Sequence, residues 1–248
     1  MIRWLLAVWM FSSLLPSRAG EWSATSVWGY PVPVVSSESS VVMSLPDSSG
    51  GTPLVAFLTT TDTPGLLGDL RGSTLVAVVQ IDTTNSPIMW WGNDCGGGDR
   101  HANMRLYFST TSGPYVLATA NSHETNYWWE DYAFADISAG KYGAVKPGLY
   151  VLMAPLDWAR WSNSQGHQDA RSFYDAASRV AQVGLAFGGG CFFDVGVGLY
   201  NPYPYDQAAT LRILSYRVIR PKPLKNPLKN PPARLKKSVD ALLGSTDY

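Results

Sequence analysis

The chain has 248 residues, with 19 Lys+Arg, 19 Asp+Glu and a formal net charge of zero, which allows one large domain or two small ones. Hydrophobic residues make up 46% and charged residues 15%, the reverse of the bias that keeps a chain disordered, so a packed core is expected. The zero charge is a sum of unlike parts. Residues 20–216 carry 9 basic and 17 acidic side chains, a net of −8, whereas residues 217–248 carry 8 basic and 2 acidic, a net of +6, and Arg3 and Arg18 supply the rest. So acidic a body argues against nucleic acid as a partner.

The first segment reads as an export leader. Arg3 is a short positive region, residues 4–16 (WLLAVWMFSSLLP) form an apolar run, and Ser17 and Ala19 suit a small-residue cleavage site. Residues 1–19 are therefore expected to be a signal peptide cut after Ala19. The run is short for a helix that must span about 30 Å of hydrocarbon, and no later stretch reaches the roughly 18 apolar residues a span needs. The protein is expected to be secreted, periplasmic or extracellular, with no transmembrane segment once processed.

Residues 20–219 read as a β domain. Runs rich in Val, Leu, Ile, Phe, Tyr or Thr mark candidate strands at 41–45, 53–59, 73–82, 104–110, 114–120, 149–156, 182–187 and 209–219, with Gly, Pro, Ser, Asn and Asp clustered between them. Longer loops are expected around 84–103, 121–148 and 157–170. In the last strand, alternation places Leu211, Ile213 and Ser215 on one face and Arg212, Leu214 and Tyr216 on the other. One helix is expected before the tail. In residues 170–183, Phe173, Ala176, Ala177 and Val180 fall at i, i+3, i+4 and i+7, which places a short helix near 170–181. No internal repeat speaks for a trefoil or propeller. The expected fold class is all-β, a β-sandwich or jelly roll with that one short helix.

Residues 220–248 form a basic, Pro/Lys-rich tail. PKPLKNPLKNPP (221–232) contains five prolines, which exclude helix and central strand and favour an extended linker. Leu235, Val239 and Leu242 beyond it are spaced like one face of a short helix. The tail is either an arm for an anionic surface or a solvated extension of the last strand.

Cys95 and Cys191 are the two cysteines. In an exported chain the even count suggests a disulfide, with two buried free thiols as the alternative. Each borders a run of three glycines, at 96–98 and 188–190, so a disulfide would tie two glycine loops together. Nothing resembles a zinc site or a phosphate loop. Asp94 and Asp99 flank the first glycine run and are candidate ligands of a structural calcium, although no D-x-D-x-D-G loop is present. No other cofactor is expected.

Eight tryptophans follow the leader, among them the doublets Trp90–Trp91 and Trp128–Trp129 and the pair Trp158 and Trp161. Strand neighbours point to opposite faces, so each doublet should aim one indole inward and one outward. An unshielded indole can stack on the C–H face of a sugar ring. Asn93, Tyr127, Glu130 and Arg160 lie close enough in sequence to bind sugar hydroxyls. Equally, any of these aromatics can belong to the core.

The strand layout, with VAQVGLAFGGGCFF (180–193) and the closing ATLRILSYRVI (209–219), resembles the galactose-binding-domain-like jelly rolls, the fold of many carbohydrate-binding modules of secreted enzymes. The blocks NDC, RLYF, YWWED, PLDWARWS and GLAFGGGCFF resemble a family of exported bacterial proteins with no assigned function. The resemblance covers about residues 30–219. It implies a sandwich and a carbohydrate-binding role, and assigns no ligand contacts.

Three functions are open at this point. The first is a non-catalytic module that binds carbohydrate or another extracellular or envelope polymer through exposed aromatics. The second is a polysaccharide-acting hydrolase or lyase on the same scaffold, which needs paired carboxylates or a His–carboxylate pair across a groove. The third is a structural or assembly protein docking through its basic tail. Without a nucleophile elbow or an H-E-x-x-H motif, no catalytic residue is assigned, and the binding reading is preferred.

Overall fold

The computed structural model describes residues 21–36, 41–48, 53–91, 101–116, 124–140, 142–189, 196–201 and 206–221. Residues 1–20, which include the expected leader, both cysteines, Asn93, Asp94, Asp99 and the chain beyond Pro221 lie outside the described residues. Among the described residues the strands are, in chain order, β1 (Trp22–Thr25), β2 (Pro31–Val32), β3 (Val35–Ser36), β4 (Val41–Ser44), β5 (Phe57–Thr60), β6 (Thr74–Thr84), β7 (Met89–Trp91) and β8 (Asn103–Ser109). They continue with β9 (Tyr127–Glu130), β10 (Ala135–Asp136), β11 (Gly148–Pro155), β12 (Trp161–Asn163), β13 (Gln182–Gly188), β14 (Val197–Leu199) and β15 (Ala208–Ile219). One α-helix, α1 (Ala170–Ala177), precedes β13.

Two antiparallel sheets pack face to face as a β-sandwich. The first runs β12–β9–β8–β13–β5–β1–β2, with β10 alongside β8, and the second runs β11–β6–β15–β4–β3. Period-two alternation builds the core between them. The first sheet contributes Trp22, Leu58, Leu106, Phe108, Trp128, Leu185 and Phe187 to one cluster. The second contributes Met43, Leu75, Val79, Ile81, Leu152, Leu211 and Ile213. Helix α1 closes one side. Its Phe173 ring lies 5.2 Å from Trp128 and 5.7 Å from Phe108. Burying each such side chain contributes about 1.5–3 kcal/mol.

Two expectations shift by a residue or a few. The helix stops at Ala177 rather than near 181, although it starts as expected, where the Asp169 side chain accepts from the Ser172 amide at 2.7 Å. Val180 is buried beyond the helix, because its backbone exchanges hydrogen bonds with Gly68 (2.8 and 2.9 Å). In β15 the register slips between Ile213 and Ser215. The bulge inserts a residue, so Tyr216 joins Leu211 and Ile213 in the core instead of facing away from them. There its ring meets Trp22 edge-on at 5.5 Å, and its hydroxyl donates to the Gly184 carbonyl at 3.2 Å. Burial pushes that hydroxyl well above the usual tyrosine range.

The described chain enters and leaves at the same end. The Glu21 amide donates to Asp62 at 2.8 Å. At the exit, Arg220 donates to the carbonyls of Asp69 (2.8 Å) and Gly65 (3.1 Å), in the loop between β5 and β6.

The first sheet is covered on both faces, and within it β13 lies close against β5. At Gly184 in β13 a Cβ would collide with the Leu58 carbonyl and the Thr59 backbone of β5. Gly184→Ala is expected to lose about 3 kcal/mol or more, since backbone cannot step aside as a side-chain tip can. Chemical denaturation measures it, and a loss under about 1 kcal/mol would show the strand pair to be looser than described.

Candidate functional site

Strand β9 separates its tryptophans as alternation requires, yet neither reaches solvent. Trp128 enters the main core. Trp129 emerges on the outer face of the first sheet and is fully buried there. A second aromatic cluster covers it, made of Phe57, Tyr107, Tyr115, Tyr127 and Trp129 with Val27, Ala56 and Ala186. Tyr115 is the lid of this cluster. Its ring packs edge-on against Trp129 at 5.5 Å and Tyr127 at 5.0 Å. Residues 114–116 were expected to open a strand. They are not in one; the Tyr115 side chain packs onto the sheet, and 117–120 lie outside the described residues. Trp161 is also fully buried, its indole N–H donating to the Pro155 carbonyl at 2.9 Å. Trp128, Trp129 and Trp161 thus present no face on which a sugar ring could stack, which corrects the expectation of one outward indole at the 128–129 doublet.

The polar residues beside this doublet form a joint in the chain. Glu130 is fully buried. One carboxylate oxygen accepts from the backbone N–H groups of Tyr132 (2.9 Å) and Ala133, and the other from Arg160 Nε (3.1 Å) and Nη2 (2.8 Å). The Arg160 guanidinium lies over the Tyr132 ring, 5.5 Å from its centre. Asp131 accepts from Ser162 Oγ at 2.9 Å and Gln168 Nε2 at 3.2 Å, with Arg105 Nη1 at 3.7 Å. Burial raises the Asp131 carboxyl above its usual range, and those hydrogen bonds and the Arg105 charge only partly offset it. Trp158 stands exposed on a neighbouring 3-10 turn, whose first residue follows the Asp157 cap. Glu130 and Arg160, expected near sugar hydroxyls, are committed to each other.

A different aromatic group lies at the loop end of the sandwich, opposite the end where Glu21 and Arg220 lie. Strands β7 and β14 pair there as a two-stranded ribbon, with Met89 opposite Leu199 and Trp90 opposite Gly198. The ribbon joins both sheets. Val197 exchanges backbone hydrogen bonds with Val55 (2.8 and 2.9 Å) on the first-sheet side. On the other side Leu199 donates to Pro46 (2.7 Å) and Met89 to Gly143 (2.9 Å). Gly198 permits this fit, since a Cβ there would strike Ser48 Oγ. On this support the half-buried Trp90 donates its indole N–H to the Tyr142 hydroxyl at 3.2 Å. The Tyr142 and Tyr200 rings meet edge-on at 5.6 Å. Tyr142 is 51% exposed and Tyr200 39%.

Tyr142 also has left-handed backbone, φ 54°, in the tight return closed by the Gly143 amide on the Gly140 carbonyl (3.1 Å). Non-glycine residues pay about 1–2 kcal/mol for this conformation. Strain of this kind gathers at binding sites.

Of the candidate residues, then, Trp90 alone joins a described exposed cluster of aromatics. The backbone of Trp91 pairs with Val197; its side chain, like Asn93, Asp94, Asp99 and the two cysteines, lies outside the described residues. Tyr142 and Tyr200 were missed. The sequence signal for Tyr142 is its place in a glycine-bounded turn, GKYG (140–143). Tyr200 carries no comparable mark. Among the described residues no group of three or more His, Cys, Asp or Glu side chains could hold a metal ion, and no helix is long and apolar enough to cross a membrane.

The raised Asp131 carboxyl makes a pH prediction. A folded-state pKa above the unfolded value means that ionisation costs stability, with the penalty absent in acid and complete above the folded pKa. The stability of Asp131→Asn relative to the unsubstituted protein should therefore rise between about pH 3 and pH 7. Urea denaturation across that range measures it, and a relative stability that falls with pH contradicts the burial effect.

A comparison with protein-family models finds no match for this chain, and a search of curated proteins finds none either.

Proposed function

We propose that this protein is a secreted, non-catalytic β-sandwich that binds carbohydrate or another extracellular or envelope polymer, and that Trp90, Tyr142 and Tyr200 are its platform. The observation that carries the reading is the exposed Trp90–Tyr142–Tyr200 cluster, held by a ribbon tied to both sheets and built partly on strained backbone. Tyrosine and tryptophan combine an apolar ring with a polar edge and lose few rotamers on binding. A sugar ring offers the matching surface, C–H faces for the rings and hydroxyls for the phenol oxygens. The leader at residues 1–19 supports export, and the resemblance to carbohydrate-binding jelly rolls supports the ligand class. Glu130 enclosed by Arg160 and two backbone N–H groups favours binding over hydrolysis, because the carboxylate nearest the tryptophan doublet serves the loop after β9.

A glycan array probed with the full chain tests the reading, followed by affinity electrophoresis on the polysaccharides that bind. Trp90→Ala and Tyr142→Ala are each expected to weaken retention about tenfold or more, the effect of losing one central aromatic contact, with the melting temperature little changed. Trp129→Ala is expected to lose about 3–5 kcal/mol of stability instead. Silence across the array, or full retention in both platform variants, would sink the proposal.

A further inference from the structure

The turn between β1 and β2 holds two aromatic side chains in solvent. Trp28 is 55% exposed and Tyr30 59%. The backbone beneath them is closed several times over. The Ser26 amide donates to the Tyr30 carbonyl at 2.8 Å, and the Gly29 amide to the Ser26 carbonyl at 3.0 Å. The buried Ser26 hydroxyl accepts from the backbone N–H groups of Trp28 (3.3 Å) and Tyr30 (3.1 Å). Gly29 supplies the left-handed φ of 79°, which glycine adopts without strain. Val27, next to Trp28, is buried in the aromatic cluster on the outer face of the first sheet, so the turn is anchored on one side and presents its pair on the other. Single exposed apolar residues need no explanation. A Trp and a Tyr two residues apart on a turn bonded this way form a surface set before any ligand arrives.

This turn stands at the same end of the sandwich as the Trp90 platform. The Thr25 carbonyl at its base accepts from the Ala56 amide at 2.8 Å; the neighbouring Val55 exchanges bonds with Val197, and Val197 lies opposite Trp91. That path is three strand spacings, on the order of 15 Å, more than one sugar ring can bridge. No charged residue occurs from Trp22 to Ser37, from Thr83 to Asn93 or from Val195 to Tyr205; Lys141, beside Tyr142 in sequence, is the exception. Each exposed ring also carries a polar edge, an indole N–H or a phenol hydroxyl, which suits hydroxyl groups better than a purely apolar partner.

We propose that the Trp28–Tyr30 turn is a second subsite for the polymer bound at Trp90, Tyr142 and Tyr200, and that the ligand is therefore the interior of an uncharged polysaccharide, several sugar units long. The inference rests on the carbohydrate reading of that platform. A single sugar or a chain end needs only one of the two groups. A chain that reaches both gains more than either contact gives alone, because the first contact raises the effective concentration for the second.

Binding of the full chain to oligosaccharide ladders, disaccharide to octasaccharide, cut from cellulose, chitin, xylan and mannan, tests this. In a ladder that binds, affinity is expected to rise about tenfold or more once the oligosaccharide reaches both groups. Trp28→Ala and Tyr30→Ala should each reduce that gain while leaving the affinity of the shortest binder and the melting temperature unchanged, and Trp28→Tyr should restore much of it. Trp90→Ala should weaken binding at every length. Affinity independent of length, or a Trp28→Ala protein that keeps the full gain, overturns the second subsite and leaves the platform standing. No binding to any ladder removes the platform and the subsite together.

Discussion

Burial of the first sheet on both faces is the constraint on which the rest of this structure depends. Strands β5, β8 and β13 have the sandwich core on one side and the Phe57–Tyr107–Tyr115–Trp129 cluster on the other. Sheets covered twice cannot follow a simple apolar-in, polar-out pattern; Asn103–Ser109 and Gln182–Gly188 are buried at every position. Close packing on two sides explains why most of the large aromatics are unavailable to a ligand, while Gly184 is restricted within the sheet by the β5 backbone beside it. Recognition is left to the loop end and the sandwich edges.

The joint after β9 follows from the same burial. Glu130 is drawn inside with its β-strand, and an isolated carboxylate there would be costly. Arg160 and two backbone N–H groups satisfy it, so the turn 131–134 and the 3-10 turn 158–160 are held to one another. Acidic residues beside tryptophans in a sequence suggest sugar chemistry. In this fold they show how a buried strand end is stabilised.

The long strands were legible because they carry many alternations: β6, β11 and β15 lie close to where their Val, Leu and Ile content places them. The face of Tyr216 was not legible, since one inserted residue reverses alternation and leaves no compositional mark. Strands β7, β9, β12 and β14, of three or four residues, have too few alternations to stand out from loop sequence, whereas the equally short β4 and β5 lie in longer apolar runs. The helix was legible in its first two turns through Phe173, Ala176 and Ala177, but Val180 continues the apolar spacing after the helix has ended. The least legible feature was the Trp90–Tyr142–Tyr200 cluster, whose members come from three separate segments brought together by the β7–β14 ribbon and by the bonds of residues 143–145 to 87–89. The burial of Trp129 was hidden for a related reason, since its cover, Tyr115, belongs to the segment after β8.

The Arg220 clamp and the Glu21 contact place both ends of the described chain at one pole of the sandwich, while the aromatic cluster occupies the other. Between the poles runs β15, twelve residues long and flanked by β6 and β4. The two poles of the body are thus unlike. Tethered at either terminus, the body would hold Trp90, Tyr142 and Tyr200 pointing outward, a strand's length from the anchorage. A pull on the tail would load β15 along its axis, shearing many ladder hydrogen bonds together rather than peeling them apart one by one.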